Sequence, residues 1–559
     1  MKKLIRSLFI FIAMLMISKA AYSQTPAIQW QKAIGGNLAD GTGCYNCAPT
    51  IVRLTKDGGY IVGGSSSSAI SGLKTDTCRG KEDYWIVKLD SARKIQWQKT
   101  FGGSDDDRLR VLETTLDDGF IIAGTSSSAA TGDKTDAGFN AAAFPDMWIL
   151  KLNSTGAIEW QRTLGGIYSD VPQSIVQNTD SSYVIGAWSG SDTIGGNKTT
   201  HMKSFSSDYW VVKLNSKGSI LWQKDYGGQA VYSTSTLTCL NKTNDGGYIL
   251  GGIAYSGAGA TGVGNDKTDT CRGGNDYWIV KIDGNGTKQW DKTFGGSKSD
   301  TPSSILQTSD GGYIVSGYST SDSTGDKTEN TIGKTGIDDY WIIKLNANGN
   351  LQWQNTIGGY NADYAKQVIQ TLDGGYVVAG FSDSPAYADK TESSQQTDYW
   401  LVKLDTDGKA KWDKTIIAQG NDYCTSIQQA ADSSYVLIGG SNSNKQFDKA
   451  EDSYGSSDFW LLNVKVSASL AIVEIENNTG IMVYPNPAGN TISVEIKAIE
   501  NEIIQNISIV DIQGRVVWKN EANILLKQTI TVNALPNGIY NLRVTTSKRQ
   551  LASMISVMH

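Results

Sequence analysis

A tryptophan-bearing triplet constrains the fold of this chain more than any other feature. Aspartate, an aromatic or methionine, and tryptophan stand together seven times, ending at Trp85, Trp148, Trp210, Trp278, Trp341, Trp400 and Trp460. The spacing is about 60 residues, which marks a repeat array built from one supersecondary module. A second tryptophan follows each of the first six triplets, at Trp97, Trp160, Trp222, Trp290, Trp353 and Trp412, and one more, Trp30, precedes them all. Only Trp188 and Trp518 of the 16 tryptophans fall outside this pattern, so the others are read as repeated packing.

Each unit reads as two β-hairpins. In the fifth, residues 303–307 form a strand, Asp310-Gly311-Gly312 supplies turn chemistry, and a returning strand starts at Tyr313. A long polar loop with Asp326-Lys327-Thr328 leads to Asp339-Tyr340-Trp341 and a last strand through Trp353. Inner strands that are apolar on both faces must be covered on both faces, as in the four-stranded blade of a β-propeller. The two ends of the array complement each other. Ile28-Gln29-Trp30-Gln31-Lys32 is a lone last strand, and Asp458-Phe459-Trp460 has no last strand after it. The expected fold is therefore all-β: a seven-bladed β-propeller over residues 24–466, closed by its N-terminal strand. An open solenoid or tandem β-modules would leave unpaired edges at both ends.

The flanks carry other signals. Lys2, Lys3 and Arg6 precede an apolar run over residues 8–17, and Ala21-Tyr22-Ser23 offers small residues for cleavage. Residues 1–23 read as a signal peptide, the run being too short to span a bilayer. Residues 467–480 read as a linker. Beyond it, Tyr484-Pro485-Asn486-Pro487, Asp511-Ile512-Gln513-Gly514-Arg515 and Leu535-Pro536-Asn537-Gly538-Ile539-Tyr540 punctuate short alternating strands. These indicate a small Ig-like β-sandwich over residues 481–559. This segment resembles the type A C-terminal sorting domain of the type IX secretion system of Gram-negative bacteria. The resemblance implies passage through the periplasm and across the outer membrane. It also implies handling by the secretion machinery and its sortase-like peptidase, and release or attachment at the cell surface. The chain ends in Met558-His559 where that family often ends in a basic residue. The repeats resemble secreted chains rich in Trp-Gln-Lys-Thr-Phe-Gly-Gly and Asp-Gly-Gly-Tyr-Ile-Val, a family that implies no common activity.

Composition narrows the function. The formal charge is -6 with no basic patch, so nucleic acid is not an expected partner. Two histidines, His201 and His559, disfavour histidine catalysis and histidine metal sites, and no cofactor is expected. No nucleophile elbow, phosphate loop or metalloprotease helix occurs. Ten residues before the Asp-Gly-Gly turn stand Asp107, Asp170, Asp300, Asp363 and Asp422, with Cys47 and Ser235 in that place in units one and four. They are candidates for a cation or polar-ligand site, or else caps of their own loops. The Asp-Lys-Thr aspartates Asp133, Asp266, Asp326 and Asp389 divide the same way. At the end of the second strand stand Ser65, Thr125, Trp188, Ile253, Tyr318, Phe381 and Ser441. Trp188, Tyr318 and Phe381 are candidates for an aromatic platform that a sugar ring stacks on, or for packing under their own loops.

Six cysteines in an exported chain favour disulfides. Matching spacings point to Cys47–Cys78 and Cys239–Cys271, leaving Cys44 with Cys424; Cys44-x-x-Cys47 is alternatively a redox or metal pair. The leading functional reading is a monomeric, non-enzymatic surface or secreted protein that binds a glycan or protein through its long-loop face. The second is a carbohydrate-active enzyme, which needs two carboxylates facing each other across a cleft. A purely structural surface component is the third.

Overall fold

The computed structural model describes residues 26–41, 48–140, 143–193, 195–228, 233–256, 263–466, 481–496, 503–511, 515–520, 526–547 and 550–559. The chain divides into two compact units, residues 1–466 and 467–559. Among the described residues every regular element is a strand.

Among the described residues the first unit holds seven four-stranded antiparallel sheets. The fifth is representative, with Asp300–Gln307, Tyr313–Ser319, Asp339–Leu345 and Leu351–Ile357 paired in chain order. Its first turn is fixed by Gly311 at a φ of 81°, which a side chain would resist. Asp310 in that turn accepts from Nζ of Lys344 on the third strand at 2.9 Å. The same turn-to-strand ion pair recurs as Asp57–Lys88, Asp117–Lys151, Asp245–Lys281 and Asp373–Lys403. A lysine can therefore stand in an otherwise apolar strand because the turn supplies its partner.

The middle strands explain the architecture. Asp339–Leu345 is buried at every position, so both faces of the sheet need cover. Neighbouring sheets provide it. Tyr277 and Ile279 of the fourth sheet share a core with Val315 and Trp341 of the fifth. The Tyr277 hydroxyl donates to the Trp341 carbonyl at 3.1 Å, with ring centroids 4.7 Å apart. This contact repeats from Tyr84 to Trp148, Tyr209 to Trp278, Tyr340 to Trp400 and Tyr399 to Trp460. The Trp341 indole in turn donates to Gln354 Oε1 at 3.1 Å, which accounts for the Trp-Gln dipeptide of the last strand.

The seventh sheet is made of Asp422–Gln429, Tyr435–Ser441, Asp458–Val466 and, from the start of the chain, Pro26–Ile34. Gln31 takes the Trp460 indole proton at 3.1 Å, the place Gln354 holds in the fifth sheet. Trp30 packs edge-on against Tyr60 of the first sheet at 5.3 Å, as Trp290 packs against Tyr313 at 5.7 Å. Val436, Phe459 and Leu461 share a core with Val62, Trp85 and Val87.

The second unit is a sandwich. Ile481–Tyr484, Thr491–Ile496 and Lys527–Thr531 form one sheet, and Val516–Asn520, Ile504–Val510, Gly538–Thr546 and Gln550–Val557 the other. Ile492, Val494 and Ile530 meet Ile507, Leu542 and Ile555 in one core.

Candidate functional site

The first strands of all seven sheets line one cavity of about 950 Å³. A β-bulge shapes its wall. In sheets two to seven the register with the second strand slips by one residue, and the unpaired residue is Arg110, Gln173, Thr238, Ser303, Lys366 or Thr425. A bulge re-aims one side chain out of the pleat, and all six of these line the cavity. Three of them spend their hydroxyl on the neighbouring sheet. Thr238 donates to Pro302 O at 2.7 Å, Ser303 to Ala365 O at 2.7 Å, and Thr425 to Thr50 O at 2.6 Å. Arg110 and Lys366 put a cation at the same position.

Aromatic residues gather on one side of this wall. Tyr318 meets Tyr364 at 5.1 Å, Tyr364 meets Phe381 at 5.4 Å, and Phe381 meets Tyr423 at 5.0 Å between ring centroids. The Lys366 ammonium stands over the Tyr318 and Phe381 rings at 5.8 and 5.3 Å, a cation–π arrangement. Tyr318, Tyr364 and Tyr423 are half-buried, whereas Phe381, packed between Tyr364 and Tyr423, is only 2 % exposed. Two of the three platform candidates, Tyr318 and Phe381, are thus brought together. Trp188 is not with them; it packs against the core between sheets three and four. Tyr364 and Tyr423 are missed by reading second strands alone. Their signal is that both directly follow a first-strand aspartate.

The candidate aspartates have a different fate. Asp107, Asp170, Asp300, Asp363 and Asp422 are fully buried. The first four accept the backbone N–H of the second glycine of the Gly-Gly pair, from Gly103, Gly166, Gly296 and Gly359 at 2.7–2.8 Å. All five accept a serine hydroxyl, from Ser128, Ser191, Ser321, Ser384 and Ser443. They cap their loops. In the first sheet this place belongs to Asp40, which binds Gly36 N and Ser68 Oγ. Counting forward from Gly35-Gly36 finds it; counting back from the turn reaches Cys47. The Asp-Lys-Thr aspartates also cap loops: Asp133, Asp266, Asp326 and Asp389 accept from Gly102, Gly227, Gly295 and Gly358.

Each capping aspartate faces the triplet aspartate of the preceding sheet. Burial first, and the facing carboxylate in addition, push Asp146, Asp276 and Asp398 up to about 7, opposite Asp170, Asp300 and Asp422. Asp339 is raised for the same reasons, facing Asp363, and burial raises Asp363 itself. The first glycine of each Gly-Gly pair makes room for this. A Cβ on Gly295 would lie 2.0 Å from Asp276 Oδ1, and one on Gly296 would lie 2.5 Å from Ser321 Cβ.

Two corrections follow. No disulfide joins Cys239 and Cys271. Cys239 packs in the core between sheets four and five, Cys271 against the core between sheets three and four, so one sheet separates them. Equal spacing along the chain carried no information about which face each thiol takes. Cys78 and Cys424 carry free thiols, while Cys44 and Cys47 lie outside the described residues. Ser441 does not occupy the seventh platform position; Gly440 does, since Gly440 pairs with Phe459 as Phe381 pairs with Tyr399.

These features define an all-β repeat protein of propeller-like sheets, with a lined cavity, joined to a β-sandwich. Residues 482–558 match the secretion system C-terminal sorting domain. That domain marks proteins exported by type IX secretion, so the protein is secreted or attached to the surface of a Gram-negative cell. Solved structures similar to this chain include the Pan2 WD40 domain of Neurospora crassa, at 8% identity and TM-score 0.40, covering 78% of this chain and 97% of that one. A protein of unknown function from Bacteroides caccae is similar at 12% identity and TM-score 0.31, covering 59% and 89%. XC5397, a gluconolactonase of Xanthomonas campestris, is similar at 10% identity and TM-score 0.29, covering 65% and 97%. No curated protein matches the sequence.

Proposed function

We propose that this is an exported, non-enzymatic binding protein that holds a glycan at the aromatic wall of its central cavity. The observation that carries this reading is the contrast between its aromatics and its acids. Tyr318 and Tyr423 line the cavity and are partly open, whereas the five candidate aspartates are spent inside loops. Tyrosine faces give area and stacking at little entropic cost. A glycosidase mechanism needs two reachable carboxylates across a cleft, which disfavours the carbohydrate-active-enzyme reading.

The scaffold we infer is a seven-bladed propeller over residues 24–466, closed by Pro26–Ile34 and acting as a monomer. Three contacts support closure: Trp460 to Gln31, Trp30 to Tyr60, and Thr425 to Thr50. Each repeats a contact made between other neighbours. Residues 1–23 would be removed as a signal peptide, and 467–480 would link to the sorting domain, the substrate of the sortase-like peptidase.

The test is a glycan array with the exported protein, paired with a reducing-sugar assay on each bound glycan. Binding without turnover, weakened at least tenfold by Tyr423→Ala, is the expected result. Sugar release by the wild-type protein would overturn it.

A further inference from the structure

The cavity wall is cationic in a protein that is not. The whole chain has 56 acidic against 50 basic residues, yet the cavity is lined by Arg53, Lys56, Arg110, Lys242 and Lys366 against a single carboxylate, Glu113. Glu113 is already engaged by Arg53 through two bonds of 2.5 and 2.8 Å. Lys56 is paired with Asp118 at 2.6 Å, and of the other cations Arg110 and Lys366 stand where the bulge re-aims side chains. At that position Thr238, Ser303 and Thr425 show what the fold needs: a short hydroxyl that reaches the next sheet. Arg110 and Lys366 stand at that position with a cation in place of the hydroxyl. They come from sheets two and six, both line the cavity, and the Arg110 charge bears on Lys366. Arg110 Nε is buried without a hydrogen-bond partner among the described residues. The acid whose charge acts on Arg110, Glu82, is bound to Arg108 at 2.6 Å. On the other side Asp338 lies beside Tyr364 and Lys366. Burying an unpaired guanidinium N–H costs free energy, and two like charges sharing one cavity add to that cost. A planar guanidinium fork matches a carboxylate or sulfate, and an ammonium adds an unoriented charge.

We propose that Arg110 and Lys366 form an anion site in the cavity and that the protein's ligand is an acidic saccharide, its carboxylate or sulfate held between the two cations while a sugar ring rests on the Tyr318–Tyr364–Tyr423 side. This rests on the glycan reading above and names its chemical class. The test uses the full exported chain in calorimetric titration. The probes are an oligogalacturonate, a sulfated oligosaccharide and a neutral cello-oligosaccharide, with inorganic sulfate as a fourth, sugar-free probe. Arg110→Gln and Lys366→Gln are the variants; Arg110 makes no side-chain bond within the described protein, so R110Q should fold, which its thermal melt verifies. One or both acidic probes should bind at least tenfold more tightly than the neutral one. Their affinity should fall at least tenfold in R110Q, fall in K366Q, and weaken with added salt. Whichever acidic probe binds tells carboxylate from sulfate. Acidic-probe affinity unchanged in R110Q would overturn the anion site. Neutral and acidic probes bound equally, and lost only in Tyr423→Ala, would sink the anion site while leaving the glycan reading intact. Sulfate binding that depends on Arg110, with no saccharide bound, would keep the anion site and remove the glycan.

Discussion

Glycine in this chain does two unrelated jobs, and a single substitution separates them. Gly311 is needed for its backbone angle, with a φ of 81° and no atom within 4 Å of the place a methyl would take. Gly295 is needed for space, because a methyl there would sit 2.0 Å from Asp276 Oδ1. Gly311→Ala should cost about 1–2 kcal/mol, the left-handed penalty of a non-glycine residue. Gly295→Ala should cost about 3 kcal/mol or more, since a rigid buried carboxylate must move. Urea midpoints of the two variants compare them directly; equal losses would refute the distinction. Both glycines belong to motifs that are plain in the sequence, Asp-Gly-Gly and Phe-Gly-Gly, yet the motifs look alike as letters. The turn was legible because its chemistry is local. The close approach was not, because its partner Asp276 is fixed only by pairing through the sheet.

At the scale of the strand and its junctions, the carboxylate pairs give the molecule an unusual response to pH. Asp146, Asp276 and Asp398 are raised to about 7 in the fold, against about 3.9 for an unfolded chain. The folded state therefore holds protons that the unfolded state has released. Stability from these groups is complete below about pH 4 and is lost as pH rises through about 7. The turn aspartates Asp57, Asp117, Asp245, Asp310 and Asp432 act oppositely. Lowered to about 2, they contribute stability above about pH 4 that is lost as pH falls toward 2. The melting temperature should peak between about pH 4 and 6 and decline toward pH 8. Asp146→Asn should make that decline shallower; a melt that is flat from pH 5 to 8, or rises, would contradict the pairing. Strand existence and order were readable from period-2 alternation and turn signals. The bulge that selects Arg110 and Lys366 was not, since it shifts pairing by one residue without changing the hydrophobic pattern.

At the scale of the whole first unit, the pairing of Pro26–Ile34 with Asp458–Val466 joins residues far apart in sequence. Ala27 lies opposite Lys465 in that ladder. A disulfide from Ala27→Cys with Lys465→Cys would close a loop of several hundred residues. It should raise stability by about 4 kcal/mol or more under oxidising conditions and not under reducing ones. An oxidised bridge, verified by mass, that leaves the urea midpoint unmoved would count against closure at this edge. The repeat count was legible because all seven units need the same tryptophan, whose indole bonds a glutamine in five units and an aspartate in two. The site was legible only in part: Tyr318 and Phe381 stood out as exceptions to the repeat, whereas Trp188, an equal exception, packs into a core. Deviation from a repeat marks freedom from its packing; only the neighbouring sheet decides how that freedom is used.

The strand that completes the seventh sheet leaves the ribosome before any other strand of the seven sheets. Until residue 466 has been added, Pro26–Ile34 has no partner and the last sheet has no cover for its edge. The sorting domain comes later still, at residues 482–558. A product cut short within the repeats therefore lacks both the means to bury its edge and the sequence that the export machinery reads.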